Sequence, residues 1–242
     1  MSDPTLEARR QFLRYTMGSA LVAGITGAGV LPALVHAMGK IPKELIAGKS
    51  IYDMRGTVFV DGKLANENTY ISANSLVETG RNSYVVFVIG FDAHILRDNS
   101  RVQLSGKDDF EESLRLATGK LLSVFGARSG GQTHQVQTST ATIGIRGTGL
   151  YVESEEDLSY ACTCYGHVNI VADSDPSSQE SIIATHHDAP RYISKDGKYG
   201  GLITPAPMKN HTDEELMLIE QLVGRKPAFA TLKSYTAPRK GY

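Results

Sequence analysis

From Ile51 to about Ala172, hydrophobic positions recur at every second residue, the period of strands rather than helices. In TVFVDGKLA, Val58 and Val60 alternate with polar neighbours, and Asp61-Gly62 supplies a two-residue hairpin turn. NSYVVFVIG predicts a strand rich in β-branched and aromatic residues, and DAHILRDNSRVQLSG predicts two more, broken at Asp98-Asn99. SLRLATGKLLSVFG is rich in Leu, but Thr118-Gly119 interrupts any helix there. Leu114 and Leu116 alternate before the break, Leu122 and Val124 after it, which predicts a hairpin. ATIGIRGTGLYVES and LSYACTCYGHVNIVA continue the alternation. Short strands with turn signals roughly every 8–12 residues predict a mainly β protein, with an all-β domain over 50–171 built as a sandwich or roll.

Beyond it the pattern changes. ADSDPSSQE is a loop of turn formers, SIIATHHDAPRYIS a short extended piece, and KDGKYGGLITPAPMKN irregular Gly- and Pro-containing chain. TDEELMLIEQLVG then predicts one helix over about 212–223. Thr212 and Glu215 form a capping box, Asp213 and Glu214 suit the helix N-terminus, Leu216, Ile219 and Leu222-Val223 form an apolar stripe, and Gly224 ends it. Residues 172–242 therefore read as a C-terminal extension with one short helix.

The first 37 residues have a different build. A basic stretch with Arg9, Arg10 and Arg14 precedes a weakly apolar, Gly- and Ala-rich run from about Met17 to Val35, and Val35-His36-Ala37 offers a signal-peptidase site. The arginine pair before Gln11-Phe12-Leu13 makes the segment resemble a bacterial twin-arginine export signal, a receptor-read address for a folded passenger. That resemblance implies a periplasmic protein. A retained segment would instead anchor it, since the run could just span a bilayer. No later stretch is apolar enough to do so.

The formal charge is −1. Cleavage after Ala37 removes three arginines and two acidic residues and leaves −2. Without a basic cluster nothing points to nucleic acid as a partner. The glycines of GIRGTG fit neither a phosphate-binding loop nor a dinucleotide fingerprint, and in a β context they read as bends and close strand approaches. No nucleophile elbow and no HExxH motif occurs, so an enzyme is not the leading expectation.

TSTATIGIRGTGLYVES resembles the signature segment of the FecR domain, named for the periplasmic sensor of ferric-citrate uptake. LRLATGKLLSVFG before it and YGHVNI after it match the same family, and the segment from Arg55 to Gly106, with Thr79-Gly80 and Ser83, looks like its first half. The similarity covers about 50–171. It implies a FecR-like β-domain that binds a ligand or an envelope protein partner. A full sensor of that family carries a cytoplasmic anti-sigma segment and a membrane helix ahead of this domain, where this chain has the short export-type signal. An anti-sigma role is therefore not carried over.

The chain has two cysteines, in CTCYGH. Residues i and i+2 of a strand share a face at about 6.6–6.8 Å, near the upper limit for a disulfide, so Cys162 and Cys164 predict a strained bridge or a pair of metal ligands. Thiolate with imidazole selects copper(I) or zinc. A turn at Tyr165-Gly166 would return His167 towards the thiols. His186 and His187 in an extended segment would point to opposite faces, so that at most one reaches a given site. His211 lies on bendable chain before the helix. The predicted ligands are Cys162 and Cys164 with His187 and His211, then His186 and His167, whereas His94 and His134 stand apart. These features lead to an exported β-domain protein that senses or handles a metal. The other reading is an envelope interaction module whose thiols are structural or bridged.

Overall fold

A computed structural model describes residues 48–107, 110–128, 134–232 and 235. The export-type segment and its cleavage site lie outside the described residues. The described chain is mainly β, with one sheet and one short helix. Among the described residues no helix is long and apolar enough to cross a membrane.

Among the described residues fourteen strands make the sheet. The first half contributes β1 (Ile51–Arg55), β2 (Val58–Val60), β3 (Lys63–Leu64), β4 (Leu76–Thr79), β5 (Tyr84–Ile89), β6 (Asp92–Leu96) and β7 (Arg101–Lys107). The second half contributes β8 (Phe110–Val124), β9 (His134–Gln137), β10 (Ala141–Ser154), β11 (Leu158–Ala172), β12 (Gln179–Ala184), β13 (Arg191–Ser194) and β14 (Ile203–Pro205). The β2–β3 turn is the one Asp61-Gly62 predicts, with φ of 51° and 75°.

Three strands, β8, β10 and β11, are long enough to serve two sets of neighbours. The first part of β8 pairs with β7 and, in parallel, with β9; its last part pairs with β6 and β10. The hairpin expected at Thr118-Gly119 is therefore a single bent strand. Gly119 adopts φ +95°, and a Cβ there would lie 2.5 Å from the Ser100 α-carbon, so glycine bends the strand without ending it. The alternating Leu114, Leu116, Leu122 and Val124 are all buried, as are Val58, Val85, Phe87, Val152 and Ile170.

Strands β12–β14 extend the same sheet past residue 171, β12 on the last part of β11 and β13 on its first part. Between those two pairings β11 is open on one side at residues 162–165. The chain that links β12 to β13, Thr185 to Pro190, runs alongside this gap. Helix α1 (Asp213–Leu222) has the predicted capping box, with Thr212 Oγ1 accepting from the Glu215 N–H and the Glu215 carboxylate accepting from the Thr212 N–H. Leu216, Ile219 and Leu222 are buried, and the helix packs on β6 and β8. Arg97, just after β6, donates from Nη2 to both carboxylate oxygens of Glu215, at 2.9 and 3.0 Å, and ties the first turn to the sheet.

Candidate metal site

The thiols sit where the β10–β11 pairing is irregular. Tyr165 pairs with Gly149 but Thr163 pairs with Leu150, which leaves Cys164 as the extra residue of a β-bulge. A second irregularity sets Gly147 and Thr148 against Gly166 alone. Gly166 adopts φ +94°, and a Cβ there would come within 2.6 Å of the Gly147 carbonyl. The turn expected at Tyr165-Gly166 is thus a bulge inside one continuous strand. His167 does not return towards the thiols: it stays in register opposite Arg146, and its Nε2 lies 2.8 Å from Ser181 Oγ on β12.

Opposite the open side of β11, the His187 N–H donates to the Cys164 carbonyl at 2.9 Å. The Asp188 carboxylate accepts from the Thr185 and His186 N–H groups, at 2.8 and 3.0 Å, and shapes the turn. His187 has φ +55°, a left-handed conformation that costs a non-glycine residue free energy. Because of it the two rings do not point to opposite faces, as extended chain would require. Nε2 of both His186 and His187 reaches Asp213 Oδ1, each at 2.9 Å.

The segment before α1 completes the cluster. Tyr160 Oη donates to the Pro207 carbonyl at 2.9 Å. Lys209 pairs with Glu153 at 2.7 Å, and Asn210 donates to the same carboxylate at 2.6 Å. These anchors present His211, stacked on the Tyr151 ring at 4.5 Å, to the thiols. Cys162, Cys164, His187 and His211 are all buried, and one donor atom from each lies within 4.8 Å of the others. Four of the six predicted ligands therefore meet. His186 joins His187 and Asp213 in an adjoining group, and His167 belongs to neither.

The donor distances suit a tetrahedral ion. Zn–S bonds of about 2.3 Å and Zn–N bonds of about 2.0–2.1 Å put tetrahedral ligand atoms about 3.3 Å (N–N), 3.5 Å (S–N) and 3.8 Å (S–S) apart. The structure has 3.0 Å from His187 Nδ1 to His211 Nε2 and 3.5 Å from Cys162 Sγ to His187 Nδ1, with the donor atoms of all four residues within 4.8 Å of one another. Both thiols are free.

The hydrogen bonds of each ring decide which nitrogens can act as ligands. The Lys209 carbonyl lies 2.7 Å from His211 Nδ1 and can only accept, so that nitrogen carries a proton. Asp213 Oδ1 likewise accepts from His187 Nε2. In neutral rings the two nitrogens that face each other at 3.0 Å, His187 Nδ1 and His211 Nε2, are then both lone pairs. Two lone pairs at that distance repel unless a cation, proton or metal, lies against them.

Burial pushes the Cys162 thiol up, but hydrogen bonds from Cys164, His187 and His211 more than reverse this and hold it well below its ordinary value. Burial and then the adjacent Cys162 thiolate raise Cys164. Burial lowers His187, but its hydrogen bonds to Asp213 and Cys162 outweigh that and raise it. Cys162, His187 and Asp213 thus form a line of thiol, imidazole and carboxylate. In an open cleft that line of groups would make a nucleophile. Here Cys162 is 0% exposed.

Asp213 reads in the sequence as a helix-start residue and carries no expected ligand role there. Sequence spacing holds no signal for it, because the rings it meets, His186 and His187, lie 27 and 26 residues away. His94 and His134 do stand apart from the thiols, but they form a second buried cluster. Glu111 lies between them, 2.7 Å from His134 Nε2 and 3.3 Å from His94 Nε2. Beside it Arg128 pairs with Asp92.

No family model matches this chain, and no curated protein does either. Two crystal structures, at 1.65 and 2.50 Å, of a candidate anti-sigma factor from Parabacteroides distasonis ATCC 8503 are similar to it. Each match has a TM-score of 0.44 at 12% identity and covers 54% of this chain. This chain spans 58% of the Parabacteroides chain.

Proposed function

We propose that this is an exported, FecR-type β-domain protein that holds a zinc or copper(I) ion at Cys162, Cys164, His187 and His211 and serves in metal sensing or handling. The observation that carries the reading is the convergence of two sulfurs and two ring nitrogens in a buried site, with each ring's outer nitrogen already engaged. A soft or borderline cation satisfies all four inward donors at once. Two thiolates also neutralise a divalent ion in a site closed to water. Four protein donors with no open position fit a held ion better than a catalytic one, and zinc is the ion for which that closed arrangement is most usual.

The twin-arginine resemblance supplies the export half of the reading. A passenger folded before export can take up its ion while the thiols are still reduced. Replacing Arg9 and Arg10 with lysine should hold the precursor in the cytoplasm; normal processing of that variant would remove the export half and leave the site untouched. For the site, elemental analysis of the full chain should find metal, and Cys162→Ser and Cys164→Ser should each lose most of it. An envelope interaction module takes first place if folded parent protein carries none.

A further inference from the structure

His186 has no part in a four-ligand site, yet the local backbone is bent to bring it in. One oxygen of Asp213 suffices to orient His187, and it does so from Oδ1 at 2.9 Å. His186 Nε2 nevertheless converges on the same carboxylate, 2.9 Å from Oδ1 and 2.8 Å from Oδ2. What brings both rings to one carboxylate is the left-handed backbone at His187, together with the Asp188 brace on the two preceding N–H groups. Strained backbone of this kind persists where its surroundings over-determine it, and it clusters at functional sites.

We propose that His186, Asp213 and the outer nitrogen of His187 form a second metal site, so that the His187 ring bridges two divalent ions as an imidazolate. The proposal rests on the four-ligand site above. Its geometry is that of a coordination shell: one atom from each of the three residues lies within 4.8 Å of the others, and all three residues are buried. The set is two imidazole nitrogens and a carboxylate, a borderline-hard combination that takes zinc or another divalent first-row ion. His187 already directs Nδ1 at Cys162 Sγ and His211, and Nε2 at Asp213. Its two nitrogens therefore serve two different donor groups.

Charge supports the pairing. Two thiolates, one carboxylate and one imidazolate carry four negative charges, which two divalent ions balance in a buried volume. Binding the second ion removes the Nε2 proton of His187, which leaves to solvent; no bond other than N–H is broken, and no electron is transferred. His186 is the most exposed of the three, at 7%, and its side of the cluster is where a water ligand could complete the second shell.

The test is zinc stoichiometry on the full chain, stripped by chelator under reducing conditions, reloaded with excess zinc and desalted. The expected ratio is two zinc per chain for the parent and one for His186→Ala. Asp213→Asn should lose the second ion too and, because the carboxylate orients His187, should also weaken the first. Cobalt(II) loading supplies a second readout. The thiolate-to-cobalt absorption of the first site should persist in His186→Ala, while the magnetic coupling between the two ions disappears; a coupling that survives His186→Ala overturns the second site. A parent ratio of one that is unchanged in His186→Ala and abolished by Cys162→Ser overturns the second ion and leaves the first. A parent ratio of zero overturns both.

Discussion

Among the described residues two clusters hold buried histidines, and they gather different groups at their centres. Around Glu111 a carboxylate sits between two rings: His134 Nε2 lies 2.7 Å from one oxygen, His94 Nε2 lies 3.3 Å from the other without a hydrogen bond, Ser123 Oγ lies 2.9 Å from the other nitrogen of His94, and the Arg128 guanidinium answers Asp92. Burial pushes Glu111 up, but the charge of His94 and the hydrogen bond from His134 outweigh it and hold the carboxylate at about 2. Around Cys162 the outer ring nitrogens face Asp213 and the Lys209 carbonyl, and the inward atoms are two sulfurs and two ring nitrogens. Burial of titratable groups is common to both clusters. What separates them is the group at the centre, a carboxylate between two rings in one and two sulfurs facing two ring nitrogens in the other.

Removing the ion should therefore have the largest effect. Structural zinc sites in small peptides bind with apparent free energies of about 10–16 kcal/mol. Chelation, or Cys162→Ser, should lower the melting temperature more than any of the substitutions that follow. Calorimetry with and without chelator checks this, and a metal-independent melting temperature breaks the comparison.

At the other cluster Glu111→Gln should leave metal content unchanged. It should cost about 3–5 kcal/mol, the penalty of leaving a buried ion pair with one partner. Because the folded value of Glu111, about 2, lies below its ordinary 4.5, its stabilising share is complete above pH 4.5 and is lost as pH falls towards 2. Denaturant titrations at pH 6 and pH 3 should show a smaller penalty for the variant at the lower pH. An equal penalty at both would mean that the carboxylate is not held ionised.

Gly166→Ala tests how the bulge sets the thiols. Left-handed backbone and the contact with the Gly147 carbonyl should cost about 1–3 kcal/mol. Metal retention should also weaken, although no ligand is touched; competition with a chromophoric chelator measures it. Smallest are Thr212→Ala, which removes the helix cap and should cost about 1 kcal/mol, and His167→Ala, which should not alter metal content.

Much of this was legible from residue types. The alternation over 51–172 and the capping box foretell the strands and helix α1, and thiolate–imidazole chemistry foretells four residues that meet. What was not legible depends on register. A one-residue bulge at Cys164 and a left-handed His187 leave no pattern in the residue types, so strand parity wrongly separates His186 from His187. The expected return of His167 towards the thiols fails for a related reason, because Gly166 reads as a turn when the glycine in fact lets a bulge pass through. Glu111, His94 and His134 come from three strands distant in sequence, and only the pairing of β8 with β6 and β9 unites them.

The most direct test is the metal content of full chain purified with its export intact, set beside that of Cys162→Ser and Cys164→Ser. Zinc or copper should be bound stoichiometrically in the parent and mostly lost from each variant, with the Glu111→Gln protein, purified alongside, keeping its ion. Folded parent protein that carries no metal, or folded cysteine variants that retain it, would contradict a cation-holding site at the thiols.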